Sequence, residues 1–249
     1  MKNAIEVSHL TKDYGSFRLD DISFTLPGGS ILGLIGENGA GKTTVIKCML
    51  GLTHRDSGEI RLLERDALEE ERSVKEEIGV VLDESSFHDA LKVKDVDKIL
   101  SRVYSQWDSA LFRDYCRKYS LPDDKTVKAF SRGMKMKLSI AAALSHHPKL
   151  LLLDEATGGL DPVVRDELLD EFLNFIQDEE HAILLSSHIT SDLEKCADYI
   201  VYLHQGKITL QGAKDDLLGS YGRLVCTRAD LEYVDPKLLH GTRVSQFSC

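Results

Sequence analysis

Nine consecutive residues, Gly36-Glu37-Asn38-Gly39-Ala40-Gly41-Lys42-Thr43-Thr44, carry the clearest chemical pattern in the chain. The spacing Gly-x-x-x-x-Gly-Lys-Thr suits a loop that wraps a phosphate chain. Glycines let the backbone fold back so that successive N–H groups converge on one anion. Lys42 can reach the β and γ phosphates, and the Thr43 hydroxyl can hold Mg²⁺. Two further points bear on the same chemistry. Asp154 and Glu155 follow four leucines, Leu150 to Leu153, and His188 follows the apolar stretch Ala182 to Ser187. An acid pair downstream of a phosphate loop can hold a metal ion and activate a water. A lone histidine is usually structural, but one that closes an apolar run behind two acids is a candidate functional residue.

These residues need elements that hold them still. Ser30 to Ile35 is a short apolar run that reads as a buried strand entering the loop. Val45, Ile46, Met49 and Leu50 recur at helical spacing after it, so the loop lies between strand and helix, with the helix start adding its positive end. Leu150 to Leu153 fits a strand buried on both faces in a parallel sheet, with Asp154 and Glu155 at its carboxyl end, where such sheets place ligands. Ala182 to Ser187 reads as the next buried strand.

The rest of the chain frames these. Ile5–Leu10 and the alternating Ile22, Phe24 and Leu26 read as β, with Pro27-Gly28-Gly29 turning into the loop strand. Tyr14, beside Gly15, is open to two readings: ordinary packing, or stacking on a base. Gly58 to Leu62 suggests a strand, the charges from Glu64 to Glu77 a solvated surface helix, and Ile78 to Leu82 a buried strand ending at Asp83. Strand patterns then vanish. Val93, Val96, Ile99, Leu100 and Val103 form one amphipathic face, and Leu111, Phe112, Tyr115, Cys116 and Tyr119 another. Ser131 is a good N-cap for a helix running into Ala141 to Leu144, with Lys135 and Lys137 expected to be exposed. Asp161 and Pro162 read as N-cap and first residue of a helix, and Ser191 with Glu194 as a capping box. Tyr199–Leu203 and Lys207–Gln211 read as a β-hairpin.

With 249 residues the chain has enough core for one domain with a subdomain. Its net charge of −10 argues against a generic nucleic-acid surface, which would be basic. The five cysteines (Cys48, Cys116, Cys196, Cys226, Cys249) form no C-x-x-C pair and suggest neither zinc site nor disulfide framework. No apolar run is long enough to span a bilayer, so a membrane role must come through a partner.

The order of the motifs over residues 3–212 resembles the nucleotide-binding subunit of an ABC transporter. The resemblance implies an α/β fold: a P-loop NTPase core of ABC type with an antiparallel β subdomain and an inserted α-helical subdomain. It divides the chain into an ATPase domain 1–212, with core 1–85 and 150–212 and helical insertion 86–149, and an extension 213–249 that related export subunits carry further. It implies ATP and Mg²⁺ as ligands. In it Tyr14 stacks on adenine, Gly36 to Thr44 cradle the phosphates, and Thr43, Asp154 and Asp83 approach the metal. Glu155 activates the attacking water and His188 senses the γ-phosphate. Ser131 and Gly133 form the signature that faces the ATP of a second subunit, and Gly159-Leu160-Asp161 resembles the D-loop. The partners implied are a second nucleotide-binding subunit, identical or paired, and transmembrane permease subunits. They place the chain in the cytoplasm against the inner face of the cell membrane.

Two departures stand out. The family's usual signature is Leu-Ser-Gly-Gly-Gln, whereas this chain has Phe130-Ser131-Arg132-Gly133-Met134. That variant, continued by Lys135, is similar to bacterial peptide exporters of the bacitracin and phenol-soluble-modulin type. The family commonly has Gln after the strand ending at Leu82, where this chain has Asp83 and Glu84. Ala156 also replaces the usual proline. A soluble ABC-type ATPase without a permease remains the alternative. A GTP switch would need an Asn-Lys-x-Asp motif, which the chain lacks, and a small-molecule kinase would not need the signature or His188.

Overall fold

The structure is a computed structural model and describes residues 2–67, 71–83, 87–220, 222 and 224–236. In chain order its elements are β1 (Asn3–Asp13), β2 (Arg18–Pro27), β3 (Ile31–Ile35), α1 (Lys42–Met49), β4 (Ser57–Leu62), β5 (Arg65–Asp66), α2 (Glu71–Glu76) and β6 (Ile78–Val81). Then come α3 (Val93–Leu100), α4 (Ser109–Lys118), a 3₁₀ turn (Val127–Ala129), α5 (Arg132–Leu144), β7 (Leu150–Asp154), α6 (Pro162–Phe175) and β8 (Ala182–Ser187). The chain continues through α7 (Thr190–Cys196), β9 (Tyr199–His204), β10 (Lys207–Ala213), α8 (Lys214–Ser220) and α9 (Arg228–Leu231). It divides into two compact units, Met1–Asp215 and Asp216–Cys249.

Two sheets carry the first unit. An antiparallel sheet has the order β2-β1-β4-β5, and a second has the order β10-β9-β3-β8-β7-β6. In the second, β9, β3, β8, β7 and β6 run parallel, and β10 returns antiparallel along β9. Every residue of β7 and β8 is buried, as the unbroken apolar runs require of strands covered on both faces. Each such leucine removed from water contributes roughly 1.5–3 kcal/mol. β3 pairs in register with β8, Ile35 opposite Ser187, and β7 with β8, Asp154 opposite Ser186. Parallel pairing therefore brings the residues that follow β3, β7 and β8 to one edge. The connection from β6 to β7 contains α3, α4 and α5.

Several local expectations need correction. The acidic stretch after Leu62 is not one helix: Leu63 and Glu64 take positive φ, and Arg65–Asp66 pair back on β4 before α2 begins. α3 ends at Leu100, so Val103 lies beyond the expected amphipathic helix, and both Val103 and Ile99 are exposed. The Ser191/Glu194 capping box does not form. α7 starts two residues earlier, at Thr190 behind Ile189, and has no side-chain cap. The Lys137 side chain is only 13% exposed, because it folds onto Glu167 of α6. Of the expected caps, Asp161 accepts from Val164 N–H at 3.1 Å with Pro162 at the first turn, and Ser131 accepts from Met134 N–H at 3.2 Å. Glu84 lies outside the described residues.

Candidate functional site

The loop from Gly36 to Thr44 leaves β3 and enters α1, as the strand–loop–helix pattern predicts. Its glycines are required by space and by backbone angle. A Cβ on Gly36 would stand 2.5 Å from the Leu203 carbonyl oxygen. Gly41, the residue before α1, has φ +113°, and a Cβ there would meet Leu19 at 2.5 Å and Phe17 at 2.9 Å. Lys42 is 5% exposed and curls back over the loop. Its ammonium donates to the Gly36 carbonyl at 2.6 Å and the Glu37 carbonyl at 3.3 Å. Thr43 is exposed on the first turn of α1.

The acids close on this lysine. Glu155, next after β7, takes the left-handed conformation at φ +51°. Its N–H is held by Ser186, at 3.2 Å from the carbonyl and 3.1 Å from the hydroxyl. That turn aims the carboxylate between two cationic or donor groups. Oε1 lies 3.0 Å from Lys42 Nζ, and Oε2 lies 2.6 Å from His188 Nδ1. The Lys42 contact is coulombic, because the ammonium's aligned hydrogen bonds go to the loop carbonyls and Oε1 receives none. Asp154 is 2% exposed, and its Oδ1 accepts the Ser186 hydroxyl at 2.6 Å. Ser186 thus positions both acids at once. No motif flagged it; its place in β8 opposite Asp154 is the only signal.

Tyr14 does not pack into the core. It is 50% exposed in a turn closed by its N–H on the Phe17 carbonyl at 2.9 Å, with Lys12 Nζ 5.4 Å from the ring centre. Phe17, which the sequence did not single out, ties that turn to the phosphate loop through its contact at Gly41. A cleft of about 500 Å³ runs between Ser16–Arg18 and Glu37–Ala40, with Gln205 and Lys207 on its rim.

The remaining expected residues gather elsewhere. Ser131 caps α5, and Gly133 has room around it, the nearest atom to a Cβ being 3.7 Å away on Val164. Arg132 binds Asp83 at 2.5 Å and lies against Gly159. Asp161 caps α6, four residues before Arg165. Arg165 reaches the Leu160 carbonyl at 3.5 Å and stands 3.8 Å from buried Asp192 of α7. That link between the segments after β7 and β8 was also invisible in the sequence. Among the described residues, no hydrogen bond of Ser131 reaches the phosphate loop. Burial pushes the thiols of Cys116 and Cys196 up to about 12, so neither supplies a thiolate at neutral pH.

The donors fit a nucleotide and a hard cation. Loop N–H groups and Lys42 suit phosphates, and the oxygen pair of Thr43 and Asp154 suits Mg²⁺, which keeps much of its water. Among the described residues no three His, Cys, Asp or Glu side chains cluster into a metal cage.

Fold and site together define a phosphate-loop nucleoside triphosphatase. Comparison with known proteins narrows this. A family model described as ABC transporter matches residues 19–158. The lantibiotic transport ATP-binding protein SrtF of Streptococcus pyogenes is 36% identical over 85% of this chain and 91% of its own length. The bacitracin transport ATP-binding protein BcrA of Bacillus licheniformis is 33% identical over 84% of this chain and 69% of its own. A solved structure described as the ATP-binding subunit of an ABC transporter superposes with TM-score 0.78 at 27% identity, covering 86% of this chain and 91% of that one. The chain belongs to the ABC transporter family and is an ATP-binding subunit of it, an ATPase. No described helix is long and apolar enough to cross a membrane.

Proposed function

We propose that the chain is the ATP-hydrolysing motor of a bacterial exporter, working as a pair of nucleotide-binding subunits beneath separate permease subunits on the inner face of the cell membrane. The observation that carries the catalytic part is Glu155 held between Lys42 and His188 at the ends of three neighbouring strands. In the chain as it stands, Lys42 is neutralised by Glu155. ATP phosphates would compete for that ammonium and release Glu155 to accept a proton from water. His188 keeps the carboxylate aimed through Nδ1, and its other ring nitrogen would serve the γ-phosphate. Asp154 and Thr43 would hold Mg²⁺, which neutralises charge on the transferring group. Tyr14 offers its exposed face to adenine. Ser131 spends a lone pair on capping and keeps its O–H proton, so with Gly133 and Asp161 it can face the ATP of the second subunit. The names of the lantibiotic and bacitracin relatives, with the Ser-Arg-Gly-Met-Lys signature, support a peptide cargo.

The test is turnover by Glu155→Gln, which keeps size but cannot take a proton. We expect ATP binding to persist and turnover to fall at least about 10²-fold. Turnover equal to wild type would remove Glu155 from the reaction. Co-purification with a multi-span membrane protein tests the permease part.

A further inference from the structure

Asp83 and Arg132 are two of the positions at which the chain departs from its family's usual motifs, and they lie 49 residues apart in sequence. The structure joins them. Arg132 Nη2 donates to Asp83 Oδ1 at 2.5 Å. The same guanidinium rests on Gly159, where a Cβ would stand 3.2 Å from Cζ and Nη1 and where φ is +67°. One side chain thus touches the loop after β6 and the loop after β7 from the first residue of α5. One helical turn further on, Lys135 binds Asp89 at 3.0 Å, a second tie from α5 to the segment between β6 and α3. The family's usual residues, Gln at 83 and Gly at 132, could form no ion pair.

We propose that Asp83 and Arg132 are a positioning pair that fastens the signature helix to the loop after β6. The pair sets where Ser131 stands relative to that loop and makes the two move together. On this reading the Asp83 carboxylate serves Arg132 and is not a magnesium ligand. Arg132 also needs the missing side chain at Gly159 to lie flat on the D-loop, so a movement of that loop is felt at α5. The inference rests on the ATPase reading above. Both side chains are about half exposed, 54% and 51%, so the effect is modest, about two- to fivefold, as exposed pairs supply.

The experiment is a double-mutant cycle in the full chain with Asp83→Asn, Arg132→Gln and both together, reading kcat, KM for ATP and the Mg²⁺ concentration for half-maximal rate. Each single variant should lower kcat about two- to fivefold. KM and the Mg²⁺ requirement should stay put, and the double should be no worse than the worse single. Losses that multiply in the double overturn the pair, as does an Mg²⁺ requirement that shifts with Asp83→Asn whatever stands at 132. Hydrogen exchange of the amides after Ser131 in the nucleotide-free chain reads the same tie without turnover. Both singles and the double should speed it equally, and unchanged exchange in either single overturns the proposal. A wild-type chain without ATPase activity would defeat the ATPase reading, while the exchange result would still decide the pair.

Discussion

At the carboxyl ends of β3, β7 and β8, the site side chains hold one another. Lys42, Asp154 and Ser186 are buried, and the contacts of Glu155 with Lys42 and His188 are 3.0 Å or closer. At the start of α5 the arrangement is open. Ser131 is exposed, a Cβ on Gly133 would make only ordinary contacts with Val164 and Leu160, and Arg132 is held by a half-exposed acid. The strand-end group is already assembled in a single chain, because the sheet sets its spacing and burial strengthens each polar contact. The helix-tip group makes no hydrogen bond to the phosphate loop among the described residues. Its exposed capping serine stands at a helix start, where backbone N–H groups suit an anion. One group is thus assembled within the chain, and the proposed pairing assigns the other to the ATP of a second copy.

The sharpest way to break this contrast is at Lys42. Lys42→Ala removes the countercharge that both the phosphates and Glu155 use, and turnover should fall about 10³-fold with strongly weakened ATP binding. Near-normal turnover would mean that the strand-end group is not the catalytic half. A step below in size is Ser131→Arg, placed in Glu155→Gln protein so that ATP persists. The parent should elute from gel filtration as a dimer with Mg-ATP and as a monomer with ADP. The added cation should abolish the dimer while single chains still bind ATP, because in the proposed two-fold pair each signature would cover the partner's loop. A surviving ATP-dependent dimer would show that the helix tip does not complete the site.

His188→Ala sharpens the comparison within the strand-end half. It removes one hydrogen bond to a charged group, so turnover should fall about tenfold. ADP affinity, measured by calorimetry, should barely change. A large loss of ADP binding would make His188 structural. The smallest effect concerns the floor beneath the helical connection. His146 is buried, bonds the Ile78 carbonyl at 3.1 Å and stacks on Tyr104 at 4.0 Å, and burial holds its imidazole below the ordinary range. In the unfolded chain it takes up a proton as pH falls through about 6.5, whereas the folded site resists it. Stability contributed here is therefore present above that pH and lost below it. Urea midpoints at pH 7.5 and 5.5 should show the decline, and His146→Gln should reduce it.

The sequence by itself determined the parts whose chemistry is local. Gly-x-x-x-x-Gly-Lys-Thr between an apolar run and a helical pattern needs no distant contact to be read. The four leucines before Asp154 report burial on both faces, and Asp161-Pro162 and Ser131 report helix starts through their own side chains. The failures follow the same logic. Ser191 and Glu194 have capping chemistry, yet the turn at His188 and Ile189 starts α7 too early for them to act. Arg65 and Asp66 read as helix because charge is a weak signal, while the pairing to β4 that makes them strand is set from outside the segment. Only the tertiary structure decided which side chains meet. Ser186 reaches Asp154 and Glu155 because β7 and β8 pair in register. Phe17 reaches Gly41, and Arg165 nears Asp192, across elements that one sequence cannot align. Asp83 and Arg132 looked like two separate irregularities. Each is a charge with no local partner, and 49 residues of intervening chain had to fold before either had one.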